Sequence, residues 1–89
     1  RGVRMNAQEI LIVVQQAVHT VLEVPAETVT RETRFIDDLK ADSLALVEIV
    51  EIVEETLAPR AKPGFHIADE DLDGLTTVGA AVDYALARM

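Results

Sequence analysis

The spacing of apolar residues along the chain predicts helices rather than strands. Between residues 7 and 22, apolar side chains recur with the period of an amphipathic helix. Asn6 and Glu9 stand at its start in the arrangement of an N-cap and a capping box, and Pro25 is expected to end it. The apolar positions of this first helix are Ile10, Val13, Val14, Ala17, Val18, Val21 and Leu22.

A second helix is expected from Asp42-Ser43 to about Leu57. It carries more apolar residues than one core-facing stripe can hold, so some of them must point to solvent. Leu44 and Val47, near its start, are expected to do so. Its apolar positions are Leu44, Leu46, Val47, Ile49, Val50, Ile52, Val53 and Leu57.

Two further helices and two loops complete the prediction. A short helix is expected over residues 69–74, and Thr76 or Thr77 is expected to cap a last helix. Residues 24–41 have no sustained period and are expected to form a long ordered loop, while prolines and a glycine in residues 58–64 indicate another loop. The buried face of the last helix is expected to hold Val78, Val82, Ala85, Leu86 and Met89, and the long loop is expected to be anchored by Val29, Phe35, Ile36 and Leu39.

The fold class predicted from these elements is all-α. It is a small four-helix bundle of three main helices plus one short helix, with a long loop between the first and second. The length of 89 residues indicates one domain. Met5 is the expected natural start, so residues 1–4 are expected to be a cloning remnant and residues 5–89 a single domain.

Composition narrows the chemistry. The chain is 49% hydrophobic and 27% charged, which is typical of a globular protein. It has no cysteine, which excludes disulfides, zinc–thiolate sites and thiol nucleophiles. No stretch approaches a membrane span, and no signal peptide is evident. These features favour a cytoplasmic protein without membrane association, and a monomer is expected.

The net charge of −8 is concentrated in one part of the chain. Residues 1–36 and 74–89 each sum to zero, so the whole excess lies in residues 37–73. The negative electrostatic potential of such a region repels nucleic acid and attracts basic protein surfaces. A solvated face that keeps the protein soluble is the alternative interpretation.

Ser43, the single serine, is the most informative residue of the acidic region. It follows Asp42 at the first turn of the expected second helix, where such residues often serve only as caps. No G-x-S-x-G motif surrounds it, and His19 and His66 are the only histidines, so a serine hydrolase is not indicated.

The segment around this serine resembles the acyl carrier proteins. Asp42-Ser43-Leu44 follows Phe35, Asp38 and Leu39 in the pattern of that family, and further matches are Val24-Pro25-Ala26-Glu27, Val47-Glu48-Ile49-Val50, Ile67-Ala68-Asp69-Glu70-Asp71 and Thr76-Thr77-Val78-Gly79. The resemblance implies that Ser43 carries a 4'-phosphopantetheine arm derived from coenzyme A. Acyl groups would be held as thioesters on its terminal thiol, and Asp42 and Leu44 complete the motif.

The resemblance also implies a role as a carrier rather than an enzyme. Its expected partners are a phosphopantetheinyl transferase and acyl-carrier ligases, ketosynthases, acyltransferases or condensation enzymes with basic docking patches. Fatty-acid, polyketide and lipopeptide pathways are all open. Lys40, Ala45 and Glu51 depart from the familiar fatty-acid pattern, which favours a carrier dedicated to specialised metabolism.

Two sets of residues are expected to serve this role. The partner-docking surface is expected to comprise Asp37, Asp38, Leu44, Val47, Glu48, Glu51, Glu54 and Glu55. A pocket for the acyl chain is expected to be lined by Val50, Val53, Ile67, Leu72 and Leu75, although ordinary core packing would bury the same residues.

A competing motif lies at Asp69-x-Asp71-x-Asp73-Gly74, which matches the opening of a calcium-binding EF-hand loop. The position that should hold a bidentate glutamate is Ala80, so no metal site is predicted. An acidic helical module that binds calcium or a protein without any prosthetic group is the alternative function.

Overall fold

The first helix, α1, spans Ala7–Leu22 and begins at the predicted capping box. The Asn6 side chain accepts a hydrogen bond from the Glu9 N–H at 2.8 Å, and the Glu9 carboxylate accepts one from the Asn6 N–H at 3.0 Å. Glu23 ends the helix with a left-handed backbone, φ 60°, and its N–H donates to the His19 carbonyl oxygen. The helix thus ends ahead of Pro25, as the sequence predicted.

The second helix, α2, spans Ser43–Leu57 and begins at Asp42. The Asp42 carboxylate accepts a hydrogen bond from the Ala45 N–H at 2.8 Å, and this bond satisfies one of the free amide groups in the first turn. Its buried residues, spaced one helical turn apart, are Ile49, Val53 and Leu57. The predicted boundaries of this helix are confirmed.

The last helix, α3, spans Val78–Leu86, and Thr77 is its N-cap. The Thr77 hydroxyl accepts a hydrogen bond from the Ala80 N–H at 3.1 Å. Three of the residues predicted to face the core are buried, namely Val78, Val82 and Ala85. Leu86 is half-buried, and Met89 lies outside the described residues.

Helix α1 packs against both α2 and α3, and the core lies between the three helices. The computed structural model describes residues 6–60, 67 and 74–88. Within these ranges the structure contains helices, turns and one isolated antiparallel bridge, Arg34 with Thr77, so the all-α class is confirmed. The short helix predicted at residues 69–74 falls almost wholly outside them, and Gly74 lies in a turn. None of the described helices combines the length and apolar character that a membrane span requires.

The loop between α1 and α2 is anchored to the core by three of the four residues predicted to anchor it. Val29 and Phe35 are buried, and Leu39 is half-buried, but Ile36 is 64% exposed and its prediction is wrong. Residues 34–40 form tight turns in which the Arg34 carbonyl accepts the Leu39 N–H at 3.0 Å. Because Phe35 and Leu39 lie one turn apart and face the core, Ile36 is directed to solvent.

The same loop is fastened to the start of α3 by backbone hydrogen bonds. The N–H groups of Phe35, Val78 and Gly79 donate to the carbonyl oxygens of Thr76, Thr33 and Arg31, at 3.1, 2.9 and 2.8 Å respectively. A Cβ at Gly79 would lie 3.0 Å from the Arg31 oxygen, so a larger residue here would push the Arg31 backbone away by a few tenths of an ångström. The Arg31 guanidinium also pairs with Asp83 at 3.0 Å. Together these contacts join residues 31–35 and α3 into one unit.

Lys40 precedes α2 in the left-handed region, with φ 59°. This conformation costs a residue with a side chain about 1–2 kcal/mol, and the greater freedom of glycine in the unfolded chain offsets part of that cost. Lys40→Gly is therefore expected to raise the free energy of unfolding by about 0.5–1 kcal/mol, measured by urea titration. Lys40→Ala is the control and should give no gain, because alanine has the same left-handed penalty. Equal stabilisation by both substitutions would contradict this explanation.

Candidate functional site

Ser43 occupies the first position of α2, with its side chain exposed. The Asp42 carboxylate serves the Ala45 N–H, and the Asp42 carbonyl accepts the Leu46 N–H at 2.9 Å. No described residue accepts a hydrogen bond from the amide groups of Ser43 or Leu44. These free N–H groups and the helix dipole make the surroundings of the Ser43 hydroxyl favourable for an anion.

A groove of about 300 Å³ opens beside Ser43. One wall is the start of α2, and the other is built from two segments that the Phe35–Thr76 hydrogen bond joins. Its lining residues are Arg34, Phe35, Ile36, Asp37, Asp42, Ser43, Leu46, Leu75 and Thr76. The groove therefore offers both charged and apolar surface within reach of the one serine hydroxyl.

Two acidic residues ahead of α2 are held by Arg34. The Asp38 carboxylate accepts a hydrogen bond from the Arg34 backbone N–H at 2.8 Å. The Arg34 guanidinium lies 3.3 Å from the Asp37 carboxylate, and both side chains are more than half exposed. Asp38 thus orders the turn, while Asp37 stays accessible at the edge of the groove.

The exposed face of α2 combines carboxylates with apolar side chains. Leu44 is 69% exposed and Val47 is 39% exposed, as the sequence predicted. The exposed glutamates of this helix are Glu48, Glu51 and Glu55. Ile36, exposed on the groove, adds an apolar side chain that sequence reasoning placed in the core.

Glu54 differs from the other acidic residues of α2. It is half-buried, and its carboxylate accepts a hydrogen bond from the backbone N–H of Ile67 at 2.6 Å. The carboxylate is therefore engaged within the chain, and the place of Glu54 in the partner-docking surface stays a prediction. It holds residue 67 against α2, and periodicity alone gave no signal of this contact.

Four of the five predicted pocket residues line one apolar cavity of about 20 Å³. They are Val50, Val53, Ile67 and Leu75, and Leu72 lies outside the described residues. A space of this size holds about one water molecule, so an acyl chain enters only if the surrounding side chains move apart. Phe35, Leu46 and Leu75 line both this inner cavity and the groove beside Ser43.

The calcium motif is only partly within the described residues. Asp69, Asp71 and Asp73 lie outside them, and Ala80 forms part of α3, where it has no ligand atom in its side chain. His19 is at the end of α1, with Nδ1 3.0 Å from the Val24 carbonyl oxygen. In residues 6–60, 67 and 74–88, no three His, Asp or Glu side chains come together as metal ligands.

Comparison with known families and proteins agrees with this arrangement. The family described as "Phosphopantetheine attachment site" matches residues 13–85. The acyl carrier protein of Acidothermus cellulolyticus is 39% identical over 80 residues, which cover 90% of this chain and 88% of that protein. The meromycolate extension acyl carrier protein of Mycolicibacterium aurum is 42% identical over 79 residues, covering 89% of this chain and 75% of that one.

The fold has a similar solved counterpart. The structure of the acyl carrier protein from Enterococcus faecalis superimposes with a TM-score of 0.72 and 34% sequence identity. The similarity covers 96% of this chain and all of that one. Sequence and structure therefore point to the same family.

Proposed function

The chain belongs to the acyl carrier proteins, and we propose that Ser43 is the residue to which its 4'-phosphopantetheine group is attached. The observation that carries this proposal is the position of the single serine, exposed at the start of α2 and at the edge of a groove. In the transfer from coenzyme A, the Ser43 Oγ would displace adenosine 3',5'-bisphosphate at the pyrophosphate, give up its proton to the transferase, and become the ester oxygen of a phosphodiester. The experiment that tests it is the Ser43→Ala comparison described in the Discussion.

The residues around Ser43 suit this group. The helix dipole and the free amide groups of Ser43 and Leu44 stabilise a negative charge at this end by roughly 0.3–1 kcal/mol. Asp42 keeps the helix start ordered by capping Ala45. The group supplies a terminal thiol for acyl chemistry, which the chain cannot offer because it has no cysteine. In this role the chain is a substrate of partner enzymes rather than a catalyst.

The exposed part of α2 and the turn before it serve as the docking face in this proposal. The docking face consists of Asp37, Leu44, Val47, Glu48, Glu51 and Glu55. Its carboxylates attract basic surfaces on a phosphopantetheinyl transferase and on ligases, ketosynthases, acyltransferases or condensation enzymes. Leu44 and Val47 supply the apolar centre of the contact, since both are exposed next to Ser43. Weak, salt-sensitive association suits a carrier that visits several enzymes in turn.

Charge reversal on this face tests the docking role. Glu48→Lys is expected to lower the second-order rate constant for loading by a phosphopantetheinyl transferase by about tenfold at low salt, because it replaces an attractive charge with a repulsive one. The rate constant is measured from intact mass against time at limiting carrier concentration. The difference should shrink as ionic strength rises, since salt screens exposed charges.

Glu27→Lys provides the matched control for this charge change. Glu27 is exposed in the short turn Ala26–Thr28 and does not belong to the docking face. The same change in net charge there should leave the loading rate within about twofold, because steering depends on where charge lies as well as on its sum. Equal slowing by the two variants would mean that net charge alone matters, which would contradict the docking face.

The inner cavity between α2, Ile67 and Leu75 is proposed to shelter the start of an acyl chain. It is lined by apolar side chains and shares Phe35, Leu46 and Leu75 with the groove at Ser43. Its volume of about 20 Å³ means that occupancy requires the walls to separate. The Glu54–Ile67 hydrogen bond restrains one of those walls.

We propose further that the carrier serves a dedicated pathway of specialised metabolism. The support comes from Lys40, Ala45 and Glu51, which depart from the familiar fatty-acid pattern, and several similar proteins are named for meromycolate extension. If so, a fatty-acid ketosynthase should extend the loaded protein more slowly than its own carrier. Equal rates would contradict the specialised assignment and leave the carrier role intact.

A further inference from the structure

We propose that the groove beside Ser43 binds the amide-bearing part of the 4'-phosphopantetheine group, with Arg34 and Thr76 as its polar contacts. The inference rests on the proposed attachment at Ser43 and adds residues that neither the motif nor the docking face includes. The volume of the groove, about 300 Å³, lies at the lower end of the range for small-molecule sites. The adjoining inner cavity, at about 20 Å³ and lined largely by apolar side chains, is too small for the same occupant.

The chemistry of the lining matches a chain that alternates amide and hydrocarbon segments. Ile36, Leu46 and Leu75 offer apolar surface suited to the geminal methyl groups of pantetheine. Arg34 and Thr76 offer hydrogen-bond donors on the wall opposite the start of α2. A long acyl chain would find charged side chains in this groove, so the amide-bearing segment is the better fit.

Arg34 is placed to donate without leaving its present partner. Among the described residues that line the groove, it is the single cation. One nitrogen of its guanidinium donates to the Asp37 carboxylate at 3.3 Å, and the planar group has further N–H donors. The antiparallel bridge between Arg34 and Thr77 fixes its backbone beside Thr76, so both polar contacts belong to one ordered wall.

The ion pair with Asp37 leaves the Arg34 guanidinium available to a ligand in the groove. The Arg34–Asp37 pair is exposed, with side chains 62% and 68% accessible, so it is weak and easily rearranged. Amide carbonyl oxygens are acceptors that a guanidinium binds while it keeps its carboxylate partner. The phosphate, by contrast, is joined at Ser43 itself, on the side of the free amide groups of α2.

The test compares the apo and loaded protein by NMR, after intact mass has verified loading from coenzyme A. In the loaded wild type we expect nuclear Overhauser contacts from the geminal methyl protons to the methyl groups of Ile36, Leu46 or Leu75, and a shifted Thr76 amide signal. Arg34→Gln should lose most of these contacts while its apo spectrum keeps the wild-type fold, because Arg34 is exposed. Thr76→Val should weaken them. Arg31→Gln is the matched control, since Arg31 pairs with Asp83 and does not line the groove.

The outcomes separate this inference from the proposed function. A fully loaded wild type without these contacts would overturn the inference and leave Ser43 as the attachment site. Full retention of the contacts in Arg34→Gln would remove the assigned role of Arg34. A wild type that gains no mass with an active transferase would overturn the proposed function, and this inference with it.

Discussion

Ser43→Ala is expected to gain no mass on incubation with coenzyme A, Mg²⁺ and a broad-specificity phosphopantetheinyl transferase, whereas the wild type gains one 4'-phosphopantetheine group. The loss should be complete because alanine lacks the Oγ that forms the ester bond, and the chain has no second serine. Intact-protein mass spectrometry measures the outcome directly. No partial activity is expected, since the missing atom is itself the attachment point.

The substitution is not expected to disturb the fold, so the result can be assigned to chemistry. Ser43 is exposed, and the cap of α2 is made by Asp42 rather than by the serine hydroxyl. Thr56→Ala is the control, since it removes an exposed hydroxyl at the other end of the same helix and should load fully. A mass gain in Ser43→Ala would show that another hydroxyl is modified. A wild type that is never loaded would favour the acidic interaction module without a prosthetic group.

The helices could be predicted because their signals are local. Asn6 with Glu9, Asp42 and Thr77 each accept the hydrogen bonds that their cap positions imply. The spacing of apolar residues between the caps then predicted which face of each helix is buried. Exposure of Leu44 and Val47 followed from the same period, because α2 holds more apolar residues than the core side can contain.

The Ile36 prediction failed where a turn reverses direction, and the hydrogen bond of Glu54, which joins residues distant in sequence, was not predicted. Ile36 is apolar and adjacent to Phe35, so composition suggested an anchor, but the turn geometry directs it to solvent. Glu54 shares the helix face of other acids, yet it accepts the Ile67 N–H across 13 positions of sequence. Periodicity describes single elements and therefore could reveal neither the exposure of Ile36 nor the hydrogen bond between Glu54 and Ile67.

The groove was also beyond sequence reasoning, although its central serine was not. Its walls come from the loop before α2, the start of α2 and the segment before α3, which backbone hydrogen bonds bring together. Resemblance to a family identified Ser43 through its immediate neighbours in the sequence. Arg34 and Thr76 lack such a motif, and only the folded arrangement places them beside the serine.

Phe35→Ala is expected to lower the free energy of unfolding by about 3–5 kcal/mol, the second largest effect that the structure indicates. Phe35 is 2% exposed, and it lines both the groove and the inner cavity. Truncation removes buried apolar area and leaves a void that α1 and α2 cannot close without moving. Since the free energy of unfolding of natural domains is about 5–15 kcal/mol, the substitution would remove a large part of it. Urea titration followed by circular dichroism measures the change.

Phe35→Leu separates the contribution of the buried side-chain volume from that of the backbone hydrogen bonds of the loop. Leucine keeps most of the apolar volume, so the loss should be on the order of 1.5 kcal/mol or less. The backbone bonds of residue 35 to Thr76 and Ala41 do not involve the side chain and remain available in both variants. If Phe35→Ala lost less than about 1 kcal/mol, the ring would not be filling the core in solution. A large loss in Phe35→Ala with a small one in Phe35→Leu would instead show that the buried apolar volume of this side chain, which lines both the groove and the inner cavity, stabilises the fold.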